Sequence, residues 1–150
     1  MGRIYTFLLN SDIAGNATAN CRYFIDWEML PPNKRFKVSF TFMSATGVLT
    51  NTEVANVFID LGQSKSVVAN SEFAQTGFKS SYIGSLRWAG FATGQLSAST
   101  TDNPPIWLDC RPPNNIIKVE IHNANATILT DYAPVPKYAL TLSFEEQPDA

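Results

Sequence analysis

The sequence predicts an all-β fold, an antiparallel eight-stranded jelly-roll β-sandwich, on three observations. Apolar residues recur at every second position in short segments spread from end to end, which on a strand gives one buried face and one wet face. No amphipathic helical window of useful length interrupts them. Long polar loops separate the segments without obvious two-residue hairpins, which favours a jelly roll over an up-and-down barrel.

The first expected strand is 4–9, Ile4 to Leu9, followed by a loop rich in Asn, Ala and Gly from Asn10 to Asn20. A second runs from Cys21 to Trp27 and is stopped by Pro31-Pro32, which cannot donate to a ladder. The third, Phe36–Ser44, has the clearest alternation: Phe36, Val38, Phe40 and Phe42 against Lys37, Ser39, Thr41 and Met43. Val54–Leu61 is the fourth, ending at Gly62. From Gln63 to Lys79 no strong period exists, and one short strand near Ser66–Ala69 is the most that can be drawn there. Tyr82–Phe91 is the fifth, with Tyr82, Leu86 and Trp88 on one side. A polar loop spans Ser97–Pro105, Ile106–Cys110 is the sixth strand, and Ile116–His122 is the seventh with Ile117, Val119 and Ile121 inward. After a loop at Asn123–Pro136, Tyr138–Glu145 is the eighth, its Tyr138, Leu140, Leu142 and Phe144 sharing one face.

A chain of 150 residues reads as one domain spanning 1–150. That length buries roughly 68–70% of the unfolded surface, enough for a core without metal or disulfide staples. Charged residues make up only 16% of the chain, and Asn, Ser and Thr supply much of the polar surface. Such a surface repels neighbours weakly and suits packing against other protein. The net charge of −2 and the absence of a basic stripe give nucleic-acid binding little support, Lys34, Arg35 and Lys37 reading as a solvated turn. No apolar run is long enough to span a bilayer, and residues 1–5 lack a secretory pattern. Gly2 and Thr6 have myristoylation spacing, but residues 4–9 read as a strand. The reading is therefore a soluble chain made in a cytosol. Cys21 and Cys110 each fall on the apolar side of an expected strand, and free, buried thiols are expected over a disulfide.

Catalytic and metal-binding patterns are sparse. His122 is the only histidine, placed outward with Lys118 and Glu120, and it lacks the partners that metal binding or nucleophilic catalysis needs. Asp26 and Glu28 share one expected strand face, and Asp60 and Asp109 fall mid-strand on polar sides. Two carboxylates suffice for a glycosidase, so a carboxylate-based enzyme is the third choice. The glycines form neither a phosphate loop nor a dinucleotide fingerprint. Asn16-Ala17-Thr18 and Asn125-Ala126-Thr127 match the glycosylation pattern by chance in an Asn- and Thr-rich chain. No cofactor or metal is expected. What remains is surface: Phe24, Phe58, Trp107 and Ile116 fall on nominally outward faces, where aromatic anchors serve protein interfaces.

The segment Asp26-Trp27-Glu28-Met29-Leu30-Pro31-Pro32, the basic turn, and Phe36-Lys37-Val38-Ser39-Phe40-Thr41-Phe42 resemble small single jelly-roll structural proteins of large icosahedral double-stranded DNA viruses. Pro112-Pro113-Asn114-Asn115 with the strand Ile116–Ile121, and the closing Tyr138–Glu145 strand, carry the same resemblance. It covers most of the chain as a pattern of strands and turns. It implies a non-enzymatic minor capsid or capsid-surface protein, located in the virion after synthesis in the host cytoplasm. Its partners would be other capsid subunits, with homo-oligomers such as trimers common at this size. It carries over no residue-level site. The alternative is a lectin-like or receptor-binding module, with Trp88 and Trp107 stacking on sugar rings and loop Asn and Asp side chains bonding the hydroxyls.

Overall fold

The computed structural model describes residues 2–11, 20–44, 55–62, 82–88, 96–98, 103–122 and 137–148. Nine strands lie among them: β1 (Ile4–Asn10), β2 (Asn20–Phe24), β3 (Phe36–Ser44), β4 (Ala55–Ile59), β5 (Tyr82–Trp88), β6 (Leu96–Ala98), β7 (Ile106–Leu108), β8 (Ile116–His122) and β9 (Tyr138–Glu146). They form two four-stranded antiparallel sheets, β1-β9-β3-β6 and β5-β4-β8-β2, as expected of a β-sandwich. The short β7 pairs with the Phe36 end of β3, while β6 pairs with the Phe42 end. The two sheets are joined by hydrogen bonding between β5 and β6, where Arg87 faces Ser97 and Trp88 faces Leu96.

Alternation explains the core. Phe36, Val38, Phe40 and Phe42 of β3 are buried, as are Tyr138, Leu140, Leu142 and Phe144 of β9. From the second sheet, Cys21, Tyr23, Val57, Ile59, Ile117, Val119 and Ile121 join the same cluster. Removing each large apolar side chain from water contributes about 1.5–3 kcal/mol, which offsets the entropy of ordering the strands. One end of the core is aromatic: the Phe144 ring lies 5.4 Å from Phe7, 5.3 Å from Trp27 and 6.0 Å from Phe36, mostly edge to face.

Several expected boundaries shift, each for a local reason. The second strand stops at Phe24 rather than Trp27, because Asp26 caps a 3₁₀ turn at Trp27–Met29 by accepting from the Glu28 N–H at 3.0 Å. The Leu30 N–H closes that turn on the Trp27 carbonyl at 2.9 Å. The fourth strand ends at Ile59 rather than Leu61, and the fifth is described over Tyr82–Trp88. A strand, β6, lies partly inside the expected polar loop at 97–105: its pairing comes from backbone groups, which Leu-Ser-Ala does not advertise. The sixth expected strand ends at Leu108 instead of Cys110. The possible strand at 66–69 and both glycosylation patterns lie outside the described residues.

Candidate functional site: an apolar interface

The four residues singled out for an interface do not form one patch. Phe24 and Ile116 are brought together, directly opposite each other in the β2–β8 ladder, and are 73% and 61% exposed. The local chain is held by the Ile25 N–H, which donates to the Asn115 carbonyl at 2.7 Å. Trp107 is also exposed, but it belongs to the other sheet, where it pairs with Lys37 on β3. The Lys37 Nζ lies 6.0 Å from its ring centroid, a cation–π distance.

Phe58 corrects the expectation. It is only 4% exposed, its ring 5.7 Å from that of Tyr82. Phe58 keeps the outward side of β4, opposite Glu120 of β8, while Val57 and Ile59 face Ile121 and Val119 of the core. A bulge in β5, with Ile83 the extra residue, sets Tyr82 opposite Phe58 and covers it. Val57 and Ile59 are buried in the core and Phe58 on the opposite side of the strand.

Other exposed apolar residues escaped the sequence reading. Ile4, Leu8 and Met43 stand on the outer face of the β1-β9-β3 sheet, since Tyr5, Phe7 and Leu9 take the inward positions of β1. Cross-strand register sets Ile4, Glu145, Lys37 and Trp107 in one row across that face. Beside it run rows of Thr6, Ser143 and Ser39, and of Leu8, Thr141 and Thr41. Reading β1 for its second face would have found Ile4 and Leu8. Away from the Lys37–Glu145 pair, this face is therefore made of small hydroxyl and apolar groups.

At the Trp27 end, a surface pocket of about 480 Å³ is lined by Trp27, Glu28, Pro32, Cys110, Arg111 and Asn115 among others. Its walls are tied together by the Trp27 indole N–H donating to the Asn114 carbonyl at 2.6 Å and by Arg111 Nη1 donating to the Leu30 carbonyl at 3.0 Å. Neither cysteine is in a disulfide, and only Cys21 is buried. Cys110 is exposed because β7 has already ended and the chain bends at Asp109, so its place in the alternation no longer applies.

The carboxylates considered for acid–base chemistry are exposed and separately employed. Asp26 and Glu28 flank a turn rather than sharing a strand face, and Asp60 accepts from the Gly62 N–H at 3.0 Å. Asp109 lies 4.0 Å from Arg35, both side chains well exposed. His122 is opposite Asn56 in the β4–β8 ladder, and Lys118 pairs with Glu120 at 3.8 Å. Among the described residues, no group of three or more His, Cys, Asp or Glu side chains could hold a metal ion. Among the described residues, no helix is long and apolar enough to cross a membrane.

No protein-family model and no curated protein matches the chain. Among solved structures, one from Desmodium yellow mottle tymovirus is similar at 9% sequence identity, covering 100% of this chain and 85% of that one, with a TM-score of 0.26. At that TM-score the likeness assigns neither fold nor function. The class defined by the described strands is an all-β protein of two packed antiparallel sheets.

Proposed function

We propose that the chain is a single jelly-roll structural protein of a virus particle, a minor capsid or capsid-surface component that acts by packing against other capsid subunits. The strand order supports the jelly-roll reading. The outer strands β1 and β2 each pair with late strands, β9 and β8, as two nested Greek keys require. The exposed cross-strand pair Phe24–Ile116 carries the interface reading. Two large exposed apolar residues directly opposite each other on a sheet are the kind of surface that association covers. The hydroxyl-rich outer face of the other sheet, with Trp107 at its margin, offers a second contact surface. In this role the work is buried area, with no bond made or broken.

Density-gradient sedimentation of lysate from the source tests the reading. The protein is expected with megadalton particles after a high-salt wash, and Trp107→Asp is expected to keep the fold while abolishing that association. Recovery only in light fractions overturns the reading. A lectin-like role is favoured by the solvent-facing ring of Trp107, and glycan binding lost in the same variant is its signature.

A further inference from the structure

Three polar side chains meet inside the apolar core, and the hydroxyls of two of them lack a well-formed hydrogen bond. Cys21 and Tyr23 come from β2 in one sheet and Tyr138 from β9 in the other, at 0%, 7% and 3% exposure. The Tyr138 backbone is fixed: its N–H donates to the Ser11 hydroxyl at 2.7 Å, and its carbonyl accepts from the Ser11 N–H at 3.0 Å. Its ring stacks on Phe42, with centroids 4.8 Å apart and planes 24° from parallel. Tyr23 is set in the β2–β8 ladder opposite Ile117. Both rings are therefore aimed by rigid strands, yet neither phenol hydroxyl makes a hydrogen bond of good geometry within the protein, although each approaches the other and the Cys21 thiol. Each nevertheless lies in the field of the other and of the Cys21 thiol.

Buried hydroxyls are almost always paired, and an orphan raises the unfolding constant severalfold relative to a satisfied group. A neutral phenol presents one donor and two acceptor lone pairs, and a thiol adds a weak donor and acceptor. Burial holds both phenols in that neutral form by raising their pKa. With no carboxylate among the three groups, a cation has no counter-charge. Water has two donors and two acceptors, enough for both hydroxyls at once.

We propose that Tyr23, Tyr138 and Cys21 form an internal hydration site, in which ordered water bridges the two sheets through the phenol hydroxyls. The test compares the full chain with Tyr23→Phe, Tyr138→Phe and the double variant, which preserve ring packing. Water-oxygen magnetic relaxation dispersion should detect fewer long-lived internal waters in the double variant than in the parent. Urea titration should show each single variant with an unfolding constant raised roughly fivefold. An unchanged internal-water count overturns the proposal, because the hydroxyls then bond each other or nothing. Single variants that unfold less readily than the parent overturn it too, since deleting a true orphan is stabilising.

Discussion

The carboxamide of Asn103 completes the backbone of Ser85. Its Oδ1 accepts from the Ser85 N–H at 2.9 Å and its Nδ2 donates to the Ser85 carbonyl at 3.1 Å, so one side chain replaces a neighbouring strand at the rim of β5. The Ser85 hydroxyl meanwhile donates to Asn56 Oδ1 at 2.7 Å and lies 2.7 Å from the Tyr82 hydroxyl. Asn103→Ala leaves a part-buried donor and acceptor without these partners. It should lower stability by about 1–3 kcal/mol. Ser85→Ala keeps both backbone bonds and should cost only about 0.5–1.5 kcal/mol. Urea denaturation of the two variants checks the order.

Gly84 sits where two groups converge. A Cβ there would lie 2.5 Å from the Phe40 ring and 2.8 Å from Cγ of Asn103. Gly84→Ala should therefore destabilise by about 1–3 kcal/mol through overpacking. Adding Phe40→Leu to Gly84→Ala should lower stability by less than the sum of the two single changes. Thermal unfolding of the three variants measures that coupling.

Trp27 joins the core to the 109–115 segment. Its ring lies 5.0 Å from Phe7, while its indole N–H reaches Asn114. Trp27→Phe keeps most of the packing but leaves the carbonyl unpaired, for a loss of about 1–3 kcal/mol. Trp27→Ala should cost about 3–5 kcal/mol. Denaturant titration followed by circular dichroism separates the two.

Alkaline pH should unfold the chain by way of Tyr23 and Tyr138. Desolvation raises both phenols well above the ordinary value of about 10. Above pH ~10 the unfolded chain releases these protons and the fold retains them, so the unfolded state binds fewer protons and stability falls with rising pH. Their contribution is complete below pH ~10 and is lost as pH climbs toward the folded values. Of the five tyrosines, two should ionise only together with unfolding, read as phenolate absorbance against circular dichroism.

Phe24→Thr combined with Ile116→Thr removes the exposed apolar pair and keeps β-branched side chains in the ladder. Stability should change by less than about 1 kcal/mol, as expected of exposed positions. Association measured by sedimentation velocity should weaken at least tenfold. Unchanged association would move the interface to the Trp107 face.

Strong alternation made β3 and β8 legible, and their bounds coincide with the expected ones because every second residue faces a continuous core. The signal fails where something other than alternation decides. At Trp27 an Asx cap overrides an apolar run, and at Phe58 an outward position is covered by Tyr82 of the paired strand. β6 is three residues long, too short to show a period. The site was legible only as a list of outward aromatics. That Phe24 and Ile116 lie opposite each other depends on which strands pair, which no local pattern carries, and the Tyr23–Tyr138 meeting depends on two sheets coming face to face.

The bonding between β5 and β6 makes the sandwich a book rather than a pair of loose plates. Its spine is the β5–β6 ladder, and its fore-edge is where β1 and β2 end the hydrogen-bonded series. The leaves can part only from the fore-edge, because parting at the spine breaks backbone bonds first. Tyr23 lies on the last strand of one leaf, and Tyr138 is one strand in from the margin of the other. Solvent exchanging with the interior therefore enters along that margin, and amides of β1 and β2 should trade their hydrogens long before those of β9, β3, β4 and β8.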